Sequence, residues 1–265
     1  YDRLVGSEMC IRDSLHKEYG HIQEVIVQNF LPKPGTMMYK KKPAPESEYL
    51  ETIALARILL PNDVHLQAPP NLSDDFAMLL QAGIDDWGGV SPVTADFVNP
   101  ERPWPSLERL RSASEDNGYF LAPRLTVYPE FIQESGKWID EKLRFPVMDR
   151  SDSEFLGRDD PGSIFPEKIE FVTNVDDGAE VAQVGEDSTQ WYSGSSASPA
   201  NLLSNRPIAS KEIDEILNEV SEGRDLTETQ IVKLFSARGG EVHTIVSYAN
   251  SLRETVNGNT VTFVS

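Results

Sequence analysis

The chain has 265 residues, 39% of them hydrophobic and 25% charged, a composition typical of a globular protein with one large domain or two small ones. Its formal net charge is -19, from 43 acidic and 24 basic residues, so we expect it to bind neither nucleic acid nor anionic membrane surfaces. The single cysteine excludes a disulfide framework and a cysteine-rich metal site in these residues. No secretory signal and no apolar run of roughly 18 residues is visible, so we expect a cytoplasmic protein.

The N-terminal run YDRLVGSEMCIRDS, residues 1–14, has no clear hydrophobic period and resembles translated adapter DNA. We expect that this run, with Cys10, is not part of the natural protein and that natural sequence begins near Leu15. At the other end the chain stops inside the strand-like run TVTFVS. Both ends therefore lead us to expect a fragment of a longer protein.

Residues 21–118 alternate between patterns typical of strands and of helices. Short β-branched runs indicate strands. Ser47 is a candidate helix N-cap, and Gly83 lies where a left-handed C-cap belongs. The alternation predicts an α/β fold of parallel strands and crossover helices, in which three units are too few to close a barrel. The predicted strands cover 21–30, 63–70 and 84–87, and the predicted helices cover 47–60, 73–83 and 106–117.

The rest of the chain predicts an extension, a linker and the opening of a second domain. Residues 119–148 continue the first domain. The linker, 149–209, begins with an acidic stretch rich in Gly and Pro, which is typical of a solvated tether. Residues 210–265 predict three amphipathic helices and one strand, with a capping box at Thr227 and Gln230.

Polar side chains lie at the ends of all three predicted strands. In parallel α/β sheets ligands bind at the carboxyl ends of strands, because the loops there converge. The sequence therefore predicts one concave binding face. Gly88 and Gly89 would let the backbone turn close to a ligand, and Ser91 would add a hydrogen bond. The strand-end residues are Gln28, Asn29, Gln67, Asp85, Asp86 and Trp87.

Several of these runs resemble the FO synthases, radical S-adenosylmethionine (SAM) enzymes that make the deazaflavin chromophore FO, 7,8-didemethyl-8-hydroxy-5-deazariboflavin. The resemblance covers residues 18–148 and is carried by HIQEVIVQNF, QAPPNLS, IDDWGGVSPVT, NPERPWP and RLTVYPEF. A later stretch, EILNEVSEGRDLTETQIVKLFSARGGEVHTIVSYANSLRETVNGNTVTFV, resembles the start of the second half of the fused two-domain enzyme. Their order in one chain favours the fused enzyme.

The resemblance implies the C-terminal part of a radical SAM (βα) TIM-type barrel, followed by an acidic linker and a small helical segment that opens a second barrel. It also implies SAM and a [4Fe–4S] cluster held by a C-x3-C-x2-C loop. Cluster ligation needs thiolates, so we expect this chain, with Cys10 alone, to lack the ligands and to be inactive. The implied domains are 1–14 as artefact, 15–148 as first barrel, 149–209 as linker and 210–265 as the start of the second barrel.

The family reaction joins tyrosine to 5-amino-6-ribitylamino-uracil, with ring closure and ammonia loss assigned to the first domain. Gln28, Asn29 and Gln67 would then bind hydroxyls and ring amides. Asp86 is the candidate catalytic residue for proton handling, with Asp85 as a second acid, and Trp87 offers a stacking face.

Other interpretations stay open at this point. Strand alternation sends one of Asp85 and Asp86 outward, where it would be an ordinary surface or capping acid. Trp87 would serve equally as barrel packing, and the glutamines as partners of neighbouring loops. A related radical SAM enzyme, such as a menaquinone-pathway futalosine cyclase, and a non-catalytic acidic adaptor are the competing functions.

Overall fold

The computed structural model describes residues 14–91, 96–158 and 210–264. Short strands alternate with helices, and the paired strands within each compact unit run parallel. The predicted α/β class is therefore confirmed, whereas the linker and the second barrel stay predictions. The strands are β1 Glu24–Ile26, β2 His65–Gln67, β3 Asp86–Gly89, β4 Phe120–Pro123 and β5 Thr260–Val264. The helices are α1 at 14–19, α2 Glu46–Leu59, α3 Ala77–Gln81, α4 Leu107–Asp116, α5 Pro129–Gln133, α6 Ser135–Trp138, α7 Glu141–Asp149, α8 Lys211–Ser221, α9 Glu228–Phe235 and α10 Gly240–Asn257, with a short 3-10 helix at Pro70–Leu72.

The described chain divides into two compact units. The first unit contains 14–68, 72–85 and 210–258, and the second contains 69–71, 86–91, 96–158 and 259–264. Most of the predicted linker lies outside the described residues, so the predicted domain boundaries stay predictions. None of the described helices is long and apolar enough to cross a membrane.

The first unit is built around α2, which is buried on almost every side from Tyr49 onwards. β1 and β2 pair in parallel, with Glu24 opposite His65 and Ile26 opposite Gln67. α10 packs along α2, and α8 and α9 present their apolar faces to the same core. Burial of each large aliphatic side chain there contributes about 1.5–3 kcal/mol. The core side chains from these four helices include Leu55, Ile58, Ile213, Ile216, Leu217, Leu234, Ile245 and Val246.

Local capping signals in the sequence were partly confirmed. Thr227 and Gln230 form the predicted capping box at the start of α9. Gly83 follows α3 with a positive φ of 109°, as the predicted C-cap requires. The prediction for Ser47 was wrong, because α2 begins one residue earlier with Pro45 at the N-cap. The glutamates of the first turn of α2 face the positive end of the helix dipole and support this earlier start.

In the second unit β5 lies between β3 and β4 and runs parallel to both. Asp86 of β3 and Ala122 of β4 are both in register with Thr262 of β5. α4 begins at the predicted position, because the side chain of Ser106 accepts a hydrogen bond from the backbone N–H of Arg109 at 3.2 Å. The predicted strand TVTFV is thus confirmed as a strand, and its neighbours are β3 and β4.

Glu46, the first residue of α2, has an unusual environment in the first unit. Burial, together with the charges of Asp74 and Asp75, raises the pKa of Glu46 to about 7. Because this pKa is higher than the unfolded value of about 4.3, the proton on Glu46 stabilises the fold at low pH, and this contribution is lost as the pH rises through 7.

We expect Glu46→Gln to raise the free energy of unfolding at pH 8 by about 1 kcal/mol, a figure reduced for the partial exposure of the group. At about pH 3.5, below the unfolded pKa, the two proteins should be equally stable, because glutamine resembles protonated glutamate. Urea denaturation at both pH values measures the difference. Glu48→Gln, on an exposed position of the same turn, is the control. An equal effect of Glu46→Gln at both pH values would contradict the explanation.

Candidate functional site

The predicted amides of the first unit lie at and just after the ends of β1 and β2. Gln67 is buried, and its Nε2 donates to Oε2 of Glu24 at 3.2 Å. Gln28 is exposed and Asn29 is half-buried. The Oδ1 atom of Asn29 is buried and accepts no hydrogen bond from any described residue. These side chains keep their predicted role as substrate-binding candidates.

Asp85 ends the segment of the first unit that precedes β3, and it is buried in an ion pair. Nη2 of Arg57 donates to its Oδ1, and Nδ1 of His65 contacts its Oδ2. The backbone N–H of Leu66 also donates to Oδ1, at 2.7 Å. Burial alone raises the pKa of Asp85, but the charges of Arg57 and His65 and these hydrogen bonds outweigh it and hold that pKa below its ordinary value.

The guanidinium of Arg57 is satisfied on its other sides by main-chain oxygens. Its Nε donates to the carbonyl of Gly83 at 2.9 Å, and its Nη1 donates to that of Val64 at 3.2 Å. A Cβ atom at Gly83 would lie 3.2 Å from Cβ and Cγ of Arg57, so the close approach of the two residues favours glycine. Arg57 thus ties α2 to the segments around β2, and Asp85 neutralises it.

Asp86, the first residue of β3, lies in the second unit and is completely buried. Arg124 forms a bidentate ion pair with its carboxylate: Nε donates to Oδ2 at 2.5 Å and Nη2 donates to Oδ1 at 3.0 Å. The hydroxyl of Thr262 donates to Oδ2, and the backbone N–H of Gly88 donates to Oδ1 at 2.6 Å. The guanidinium also lies 4.0 Å from the ring centre of Tyr128. The carboxylate therefore joins β3 to β5 and to Arg124, the residue that follows β4.

The rest of the DWGG run combines a buried ring with an open turn. Trp87 is completely buried, so its ring belongs to the packed interior in this structure. Gly88 has a positive φ of 78°, which glycine adopts without strain. Gly89 is exposed, with open space where a Cβ would lie, and Ser91 is half-buried. The stacking role of Trp87 and the ligand contacts of the other three residues stay predictions.

The second unit contains a network of loop hydrogen bonds that the sequence did not predict. Its residues follow β2 and β3 in the sequence. Asp96 accepts from the backbone N–H groups of Val98 and Asn99 at 2.9 and 3.1 Å. Nδ2 of Asn99 and Nδ2 of Asn71 each donate to its Oδ2 at 2.9 Å. Burial raises the pKa of Asp96, but these hydrogen bonds outweigh it and lower the pKa below its ordinary value. The network fixes the loop around a buried amide, Asn71.

Sequence reasoning missed Arg57, Arg124 and Asn71. Arg57 had a signal, because an arginine inside the apolar helix TIALARILL needs a buried acid as partner. Arg124 and Asn71 lie in the family-like runs RLTVYPEF and QAPPNLS, but nothing in their spacing names their partners. The structure brings Asp85 to Arg57 and Asp86 to Arg124, while the single concave face predicted for all the strand-end residues stays a prediction.

The iron–sulfur cluster implied by the resemblance requires cysteine thiolates as ligands. The chain contains one cysteine, Cys10, which lies outside the described residues. No group of three His, Cys, Asp or Glu side chains within the described ranges has the arrangement of a metal site. The residues present therefore do not fit such a cluster.

Parallel strands alternating with helices define a protein of the α/β class. No protein-family model matches this chain, and no solved structure matches it.

Curated relatives, however, match nearly all of it. The chain is 37% identical to the FO synthase of Mycobacterium tuberculosis over 273 residues, which cover 96% of this chain and 32% of that protein. It is 34% identical to the FO synthase of Streptomyces coelicolor over 281 residues, covering 100% of this chain and 32% of the relative. It is 47% identical to the 7,8-didemethyl-8-hydroxy-5-deazariboflavin synthase of Methanopyrus kandleri over 145 residues, which cover 54% of this chain and 42% of that relative.

These identities confirm the resemblance found in the sequence: the chain is a homologue of the FO synthases. It spans about a third of the length of the Mycobacterium and Streptomyces relatives.

Proposed function

We propose that this chain is part of a fused FO synthase, a radical SAM enzyme that condenses tyrosine with 5-amino-6-ribitylamino-uracil to form FO. The observation that carries the proposal is the 37% identity to an FO synthase across 96% of the chain. SAM and a [4Fe–4S] cluster belong to the proposal for the complete enzyme. The cysteine ligands of the cluster would have to come from outside this chain, because Cys10 is its only cysteine.

The proposed domain order rests on the two resemblances in the sequence. Residues 18–148 resemble the FO synthases, and the later stretch that begins EILNEVSEG resembles the start of the second half of the fused enzyme. We therefore assign 15–148 to the first catalytic domain, 149–209 to a linker and 210–265 to the start of the second domain.

Within the first domain, the amides Gln28, Asn29 and Gln67 are the proposed contacts for the ribityl hydroxyls and the uracil ring. Amide side chains suit this task because each carries both hydrogen-bond donors and an acceptor. Asn29 supports the assignment most directly, since its buried Oδ1 accepts no hydrogen bond from the described residues. Asp85, Trp87, Gly88, Gly89 and Ser91 complete the proposed substrate-binding set.

Asp86 is the proposed catalytic residue, and its surroundings define what that role requires. Its oxygens already accept hydrogen bonds from Arg124, Gly88 and Thr262. A substrate hydroxyl or amine would replace one of these donors, and the neutral hydroxyl of Thr262 is the one whose loss leaves the ion pair intact. In this proposal Arg124 is a positioning residue that keeps the carboxylate in place.

The proposed function is tested by recovering the coding DNA on both sides of this segment and expressing the complete protein. We expect a cysteine triplet in each missing flank. We also expect the complete protein, under anaerobic conditions with SAM and both substrates, to form a product with the mass of FO. Reconstitution of the 265-residue chain with iron and sulfide should give no cluster absorbance above that of Cys10→Ser, and the chain alone should form no product.

Two outcomes would refute the proposal. One is flanking DNA with a start codon near residue 15 and a stop after residue 265, which an acidic adaptor would have. The other is a complete protein with bound cluster that consumes SAM but converts neither substrate, which would favour a different radical SAM reaction.

A further inference from the structure

Asn71 is a buried amide whose oxygen accepts no hydrogen bond from the described residues. It lies in the short 3-10 helix Pro70–Leu72, just after β2, and only 5% of its surface is exposed. Its Nδ2 donates to Oδ2 of Asp96 at 2.9 Å and to the carbonyl oxygen of Arg102 at 3.1 Å. Its Oδ1 is buried, and no donor among the described residues bonds to it.

The orientation of this amide is fixed by chemistry. Both partners of Nδ2 are oxygens that only accept hydrogen bonds, a carboxylate and a carbonyl. Turning the amide over would place Oδ1 against these two oxygens and would lose both bonds. Oδ1 is therefore the atom of this amide that accepts no hydrogen bond from the described residues.

An acceptor that is buried without a donor destabilises a fold, because its bonds to water are lost and not replaced. Asp96, by contrast, accepts hydrogen bonds from Val98, Asn99 and Asn71. The network thus holds Asn71 in one position while one oxygen stays unsatisfied. A side chain held in this way is prepared for a ligand.

We propose that Oδ1 of Asn71 accepts a hydrogen bond from a neutral N–H or O–H group in the ribitylamino-uracil part of the first domain's substrate. This inference rests on the proposed function. The ring N–H groups and ribityl hydroxyls of this part are donors of this kind, and free 5-amino-6-ribitylamino-uracil carries both, so it serves as the probe. A metal ion is a poor fit, because one carbonyl oxygen provides too few ligands.

The test measures binding of 5-amino-6-ribitylamino-uracil to the 265-residue chain by isothermal titration calorimetry. We expect Asn71→Ala to weaken binding about tenfold, the effect of losing one buried hydrogen bond. Asn117→Ala is the control, because Asn117 lies in the same unit outside this network, and its Nδ2 donates to the carbonyl oxygen of Ala113 at 2.8 Å. It should change the affinity by less than about twofold. Thermal unfolding of both variants verifies that they fold.

A second measurement needs no variant. In a crystal structure of the wild-type chain with 5-amino-6-ribitylamino-uracil, a nitrogen or hydroxyl oxygen of the ligand should lie within hydrogen-bond distance of Oδ1 of Asn71. An ordered water on Oδ1 that persists with the ligand bound would overturn the inference, as would equal affinity losses in Asn71→Ala and Asn117→Ala. Either result leaves the proposed function intact. If the wild-type chain does not bind 5-amino-6-ribitylamino-uracil, the inference is refuted. The flanking-cysteine test of the proposed function does not depend on that result.

Discussion

Replacing Arg57 with methionine is expected to destabilise the protein by about 3–5 kcal/mol at pH 7, a large part of the stability of an ordinary domain. Methionine fills a similar volume but leaves the carboxylate of Asp85 buried without its guanidinium partner. It also removes the donors to the carbonyl oxygens of Gly83 and Val64. Most of the loss in the free energy of unfolding therefore comes from the buried, uncompensated charge of Asp85.

Urea denaturation of both proteins measures the difference, and Arg111→Met, at an exposed position of α4, is the control with an effect within about 0.5 kcal/mol. The pKa of Asp85 lies below its ordinary value in the folded protein, so the stabilisation by this carboxylate is present above about pH 4 and is lost as the pH falls through the folded pKa. The difference in the free energy of unfolding between wild type and Arg57→Met should narrow as the pH is lowered from about 4 through the folded pKa. A gap that stays constant would contradict the electrostatic explanation.

The alternation of strands and helices was predictable because it depends on local sequence. β-branched runs and helical spacing act over a few residues, and strands β1 to β3 fall inside or within two residues of the predicted ranges. The start of α4 at Ser106 and the capping box at Thr227 follow from side chains that bond to their own backbone neighbours. Such signals need no knowledge of the rest of the fold.

The partners of the two aspartates were not predictable in the same way. Asp85 and Asp86 are neighbours in sequence, yet their arginines lie 28 and 38 residues away, one before and one after them. Only the tertiary arrangement decides which cation meets which acid. A pair of acids after a strand therefore predicts ligand binding and buried ion pairs equally well, and the arginines distinguish them only when the fold is known.

The same limit applies to β5. Its alternating sequence TVTFV predicts a strand of period two, and this is confirmed. Its position between β3 and β4 brings Thr262 to Asp86, which is 176 residues away in sequence. No local pattern specifies a contact over that separation.

The second large effect is expected at Asp86 and Arg124. Asp86→Asn and Arg124→Met should each lower the free energy of unfolding by about 3–5 kcal/mol, because each leaves one buried charge of the pair unpaired. The double variant should cost clearly less than the sum of the two, since no unpaired charge then stays buried. A double-mutant cycle by urea denaturation gives the coupling energy, which we expect to exceed about 1.5 kcal/mol.

The exposed pair Lys211 and Glu215, 3.5 Å apart on α8, is the control for this cycle, and its coupling should be too small to measure. Thr262→Val separates the two roles of Asp86, because it removes the neutral donor and keeps the ion pair. If Asp86 transfers a proton in the complete enzyme, Thr262→Val should retain turnover, because the substrate takes the place of that hydroxyl. If instead the coupling energy is large and Thr262→Val loses turnover, Asp86 stabilises the sheet and takes no part in the chemistry.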